Sequence, residues 1–183
     1  MAQKDNIATI KTVLFHPRRI IPAKVEVAAV KTGIGIHVVG MPDNKAKELL
    51  LRVVTAMQAL GYRLPGQKIV ISISADNDAD GVIDAATRKT ILRWSMLDLP
   101  VAIALLAATK QITIVGQERT IFTGELGLDG KLRKPLVDFS ALLSYARDND
   151  VDIVAPPIPG LFTKRCLSEI TADEELVIQE SRI

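Results

Sequence analysis

The stretch GIHVVGMPDNKAKELLLRVVTAMQALGYRLPGQKIVISIS, residues 35–74, carries in succession the two periods that define regular structure. Ala46, Leu49, Leu50, Val53, Val54, Met57 and Leu60 recur at helical spacing, which predicts an amphipathic helix over residues 42–61 with Gly61 placed to close it. Before it, GIGIHVVG reads as a short buried strand between glycines, and after it KIVISIS reads as a second strand. Strand, helix and strand in quick succession are the building unit of a sheet with helices packed on it.

Working outward, the same alternation continues. IATIKTVLF and AKVEVAAV are strand candidates, the second with clear alternation at Lys24-Val25-Glu26-Val27. AATRKTILRW is a short helix with Asp84 as its N-cap. DLPVAIALLAAT is a buried helix with Asp98 as N-cap and Pro100 in its first turn. TIFTGELGL is a strand, DGKLRK a charged turn, LVDFSALLSYARDN an amphipathic helix and VDIVAP a short strand. A helix near GLFTKRCLSEI and a strand ELVIQE finish the chain. With no repeat and no linker, residues 1–183 are expected to form a single α/β domain.

Composition narrows the function classes. With 48% hydrophobic and 24% charged residues the chain can bury a substantial core, and a net charge of +2 gives no global basic field. The single cysteine, Cys166, excludes an internal disulfide framework and fits a reducing compartment. MAQKDNIATIK has no apolar signal core, and LPVAIALLAA is too short to cross a bilayer, so a soluble cytoplasmic protein with no membrane partner is expected. Four phenylalanines, two tyrosines and one tryptophan are too scattered to make a stacking platform for bases.

Several motifs imitate chemistry. GYRLPGQK approaches a phosphate-binding loop, but Gln67 separates Gly66 from Lys68, and the order is helix then strand rather than strand then helix. His16 and His37 have no partner at metal-ligand spacing and read as ordinary polar residues. The strongest imitation is DNDADGVIDAAT, residues 76–87. Asp76, Asp78, Asp80 and Asp84 stand where a calcium loop places ligands, Val82 would offer its carbonyl and Gly81 the bend. Against calcium, Thr87 stands where the bidentate glutamate belongs and a strand replaces the entering helix. Aspartate, asparagine and glycine are also the residues of any exposed turn, and the balance favours a solvated turn over a calcium site.

Taken together, VVGMPD before the long helix, DLPVAIALLAA, and GELGLDGKLR resemble the N-terminal domain of the magnesium-chelatase-related, ChlI-like family that includes competence protein ComM. The resemblance covers roughly residues 20–160. That domain is similar to the proteolytic domain of Lon and the C-terminal domain of RadA. The resemblance therefore implies a two-layer α/β fold of the ribosomal-protein domain-2-like type, a mixed sheet with helices packed on it. Lon-type proteases use a serine activated by a lysine. Carried across, the serine position falls on or beside Asp98, with Ser95 the nearest hydroxyl, and the lysine position falls near Ala141 or Leu142. Both halves of the dyad are missing, which implies a pseudo-protease domain and no enzyme activity.

Full-length relatives look like hexameric ATP-driven motors acting on DNA. The chain to Ile183 carries no GxxxxGK[ST], so ATP is expected only through a separate AAA+ ATPase module, in cis or in trans, and no cofactor of its own is expected. The resemblance thus implies a non-catalytic accessory or assembly domain of a DNA-processing machine, with homo-oligomerisation in the motor context. The alternative is a stand-alone binding or scaffold domain, stabilised by calcium, that has lost the motor. If DNA is contacted, the candidates are Lys131, Arg133 and Lys134, which GLDGKLRKP gathers on one turn.

Overall fold

The structure is a computed structural model and describes residues 6–76, 83–114, 117–133 and 137–155. The predicted helix near residues 160–170, the strand ELVIQE and Cys166 lie outside the described residues. A four-stranded mixed sheet forms the frame, built from β1 (Asn6–His16), β2 (Arg19–Val30), β3 (Gly35–Val39) and β4 (Lys68–Ala75) in the order β1-β2-β4-β3. β1 and β2 are an antiparallel hairpin, β2 and β4 are antiparallel, and β3 runs parallel to β4. The alternation in β2 faces Ile21, Ala23, Val25, Val27 and Ala29 into the core, while Lys24 and Glu26 pair on the opposite face at 3.3 Å.

Helix α1 (Asp43–Ala59) links the parallel pair β3 and β4. Ala46, Leu49, Val53, Ala56 and Met57 form its buried stripe, whereas Leu50 and Val54, expected in the core, are only half-buried. Gly61 ends the helix as predicted. At φ +85° it donates to the Gln58 carbonyl at 3.0 Å, and Tyr62 N–H donates to Met57 at 3.0 Å, a Schellman closure that a residue with a Cβ would strain. Ahead of the helix, a Cβ on Gly40 would lie 1.9 Å from the Ile73 carbonyl oxygen, so only glycine lets the chain leave β3 against β4. β3 itself corrects the expectation of a buried strand. It is the sheet edge, with no residue fully buried and Val39 52% exposed, because β4 covers only one of its sides.

Helix α3 (Asp98–Ala108) is the centre of the molecule, packed between α1 and strands β1 and β2. Every residue but Ala107 is buried, as a helix apolar on all sides requires. It follows α2 (Ala85–Thr90) and a 3₁₀ turn at Trp94–Leu97. The expected helix over residues 85–94 therefore stops at Thr90, where Ile91 adopts extended geometry and the chain joins β1 through a bridge between Phe15 and Leu92.

A smaller unit completes the fold. β5 (Thr120–Phe122) and β6 (Asp152–Val154) pair in parallel, with α4 (Ser140–Asn149) between them in sequence. Val13 and Phe15 of β1 join Ile121, Phe139, Leu142 and Ile153 in a second apolar cluster, in which the Phe15 and Phe139 rings sit 5.6 Å apart. Thr12 ties this unit to β1, donating its hydroxyl to the Phe122 carbonyl at 2.7 Å. The strand expected over TIFTGELGL is shorter than predicted. It ends at Phe122, and a tight turn replaces its second half, with Leu126 bridging Leu132. The whole is a small mixed α/β domain with helices packed on a mixed sheet, compatible with the two-layer architecture.

Among the described residues no helix is long and apolar enough to cross a membrane. Leu49 and Leu105 are both 0% exposed, so Leu49→Ala and Leu105→Ala should each cost about 2–5 kcal/mol in urea denaturation, with Leu50→Ala costing less than Leu49→Ala. A Leu50→Ala variant as destabilised as Leu49→Ala would contradict the observed rotation of α1.

Candidate functional site

The polar centre of the molecule is built at the start of α3. Asp98 was expected to cap that helix, but its carboxylate does not do so; Leu97 precedes the helix with no side-chain cap. Asp98 is the first helical residue, fully buried, and turns instead toward α1 and the segment after β5. Arg52 grips it with both arms of its guanidinium, Nε to Oδ2 at 2.7 Å and Nη2 to Oδ1 at 3.0 Å. Leu126 N–H donates to the same Oδ2 at 3.1 Å. A carboxylate in the first turn is also favoured by the helix dipole. Around this pair the backbone is laced together, with Gly124 N–H donating to Met96 at 2.8 Å and Leu99 N–H to Gly124 at 3.0 Å.

Burial pushes the Asp98 carboxyl up to about 7, although Arg52 and the Leu126 N–H pull it down; in return the aspartate raises the Arg52 guanidinium above its ordinary value. Arg52 was not anticipated from the sequence. Its signal was a cation one residue ahead of Val53 in the buried stripe of α1, matched by a lone acid opening an otherwise apolar helix.

Ser95, in the 3₁₀ turn, donates its hydroxyl to Glu125, so its partner is a carboxylate rather than the amine or imidazole that activates a serine nucleophile. Leu142, one of the two positions to which the Lon-type lysine maps, is fully buried in the second apolar cluster, and Ala141 is exposed. The arrangement at Asp98 is chemically a lock: each oxygen of the carboxylate is held, and none faces solvent.

The acidic loop is only partly described. Asp78 and Asp80, with Gly81 and Val82, lie outside the described residues. Asp76 is exposed at the end of β4, with its N–H donating to Pro22 at 2.9 Å. Asp84 caps α2 as expected: Oδ1 accepts from Thr87 N–H and Oδ2 from the Thr87 hydroxyl, both at 2.8 Å. These bonds hold its carboxyl below the usual range. Among the described residues no group of three acidic, histidine or cysteine side chains is gathered as a metal would need.

The basic turn is a compact loop. Gly127 N–H donates to Lys131, Gly130 N–H to Gly127 and Arg133 N–H to Glu125, each at 2.9 Å. Asp129 accepts from Lys131 N–H at 3.1 Å and pairs with Arg133 at 3.5 Å. The Arg133 guanidinium lies back over Gly127, where a Cβ would meet it at 2.0 Å. Lys131 is exposed, and Lys134 lies outside the described residues.

The pH dependence of the lock is directional. A carboxyl with a raised folded pKa favours the folded state at acid pH and loses that contribution as pH rises through the folded value. Removing Arg52 takes away the cation that holds the value near 7, so Arg52→Met should lose more stability relative to wild type at pH 9 than at pH 5, measured by urea midpoints. An equal loss at both would show that Arg52 does not govern the ionisation of Asp98.

The family described as subunit ChlI of Mg-chelatase matches residues 25–158. The uncharacterized protein YifB of Escherichia coli is 37% identical over 113 residues, 61% of this chain and 20% of that protein. The uncharacterized protein Rv2897c of Mycobacterium tuberculosis is 30% identical over 122 residues, 67% of this chain and 22% of that protein. Competence protein ComM of Haemophilus influenzae is 30% identical over 100 residues, 54% of this chain and 17% of that protein. The matched region therefore spans about a fifth of the length of these relatives. On the extent of the family match and the order of its motifs, the chain belongs to the ChlI-like, magnesium-chelatase-related family.

Proposed function

We propose that this chain is a non-catalytic accessory and assembly domain of a ComM-like, DNA-processing machine. The observation that carries the reading is the Asp98 lock. The Lon-type nucleophile position falls on or beside Asp98, whose side chain is wholly enclosed and bound to Arg52 and Leu126, which suits holding elements together rather than attacking a substrate. In this reading the domain works in the cytoplasm with an AAA+ ATPase module supplied in cis or in trans. ATP enters only through that module, and subunits assemble around a ring. Lys131, Arg133 and Lys134 are proposed to touch phosphates at the turn, with Lys131 carrying the contact because Arg133 is engaged by Asp129.

Mixing the chain with the separately expressed ATPase module of a family member tests the assembly role. Co-elution in light-scattering chromatography with ATP, and an altered rate of ATP hydrolysis, are expected. Separate elution with an unchanged rate would favour a stand-alone scaffold.

For the acidic loop we propose a solvated turn, supported by the commitment of both Asp84 oxygens to Thr87. Titration calorimetry with calcium should show no binding in the micromolar range. A micromolar dissociation constant that vanishes in Asp78→Ala/Asp80→Ala would instead make the domain calcium-stabilised.

A further inference from the structure

A second basic surface is assembled by the fold from segments far apart in sequence. The β1–β2 hairpin ends in His16-Pro17-Arg18-Arg19, where the last three residues are exposed. Leu92 N–H donates to the Phe15 carbonyl at 2.7 Å, and this antiparallel bridge lays the segment after α2 along the end of β1. The antiparallel direction carries the hairpin tip toward the end of α2. Arg88 and Lys89 stand in the last turn of α2 and Arg93 in the segment after it, Lys89 and Arg93 exposed and Arg88 half-buried. Neither Arg18 and Arg19 nor these three cations form an ion pair within the described residues. Asp84, the acid at the other end of α2, is held by Thr87, Asp76 lies exposed at the close of β4, and Asp138 precedes the Phe139 ring that packs on Phe15.

We propose that this surface, formed by Arg18, Arg19, Arg88, Lys89 and Arg93, binds the phosphate backbone of a nucleic acid. Two observations select that partner. Guanidinium groups dominate the set, and their planar forks match phosphate oxygens two at a time. Among the described residues from Arg88 to Arg93, Leu92, 44% exposed, is the only large apolar side chain that is exposed, so the surface is dominated by charge. Trp94 is buried, and the exposed cations address the phosphate backbone without base preference.

This surface is distinct from the turn at Lys131. A Cβ on Gly130 would contact Leu60, which places that turn at the end of α1 close to where β4 begins. The hairpin tip lies at the opposite end, where Ala23 of β2 pairs with Ala75 at the close of β4. The proposal shares with the preceding section only the partner class, DNA, and is separable from it by experiment.

Fluorescence anisotropy of the full chain with labelled duplex and single-stranded DNA across a salt series provides the test, with flotation on anionic phospholipid vesicles as a second arm. The variants are Arg18→Ala/Arg19→Ala, Lys89→Ala/Arg93→Ala and, at the far end, Lys131→Ala/Arg133→Ala. Each lost phosphate contact flattens the slope of log affinity against log salt by about 0.9 on duplex DNA, so each of the first two pairs should flatten it by about 1.8. Circular dichroism confirms that each variant is folded. Wild-type slopes in both pairs, or flattening confined to Lys131→Ala/Arg133→Ala, would remove this surface while leaving DNA as a partner. Binding to vesicles without binding to DNA would overturn the choice of partner, and leaves the co-elution test with the ATPase module unaffected.

Discussion

The carboxylate of Asp98 is where three separate parts of the chain agree on their positions. It opens the central helix, receives both arms of Arg52 from α1, and receives a backbone N–H from the segment that follows β5. Helix α1 meets α3 largely through apolar contact, which fixes distance better than it fixes rotation or register. A bidentate guanidinium adds the missing directionality. Burying such a pair brings little net stability, since desolvation offsets most of the attraction, while breaking it on one side is costly. Its contribution is one of arrangement, and the remaining layers follow from it. With α1 oriented by Arg52, its buried stripe faces α3; with Leu126 fixed, the basic turn is set at the end of α1.

Much of the sheet and its principal helix was legible in the sequence because the relevant signals are local. The alternation in β2 and the helical stripe closed by Gly61 are properties of neighbouring residues. The edge position of β3 was not legible, because an apolar run such as GIHVV reports affinity for a sheet and says nothing of how many strands will flank it. TIFTGELGL failed as one strand for a similar reason: Gly124 adopts φ +153° and the chain turns away to meet α3, a demand set by tertiary packing.

The candidate sites were less accessible, and Asp98 shows why. Aspartate before an apolar helix satisfies the pattern of an N-cap, and only the approach of Arg52 from another helix decides otherwise. The acidic loop is the converse case, since its ligand-like spacing is visible in sequence while Asp84 proves to be occupied by its own helix. The arginines of HPRR and TRKTILR were also in plain view. They become one surface only because Leu92 bridges to Phe15, a contact that no periodicity announces.

The brevity of β5 and β6 has a consequence for motion. Three residues per strand, paired in parallel, cannot persist on their own, so this small sheet survives only as long as Phe139, Leu142 and Ile153 stay packed against β1. Amide hydrogens in β5, β6 and α4 should therefore exchange with solvent together, through a sub-global opening that leaves β1, β2 and β4 protected. Such an opening would loosen the segment that carries Leu126 and release one of the ties on Asp98, so the stability of the smaller unit and the hold on the central carboxylate are linked.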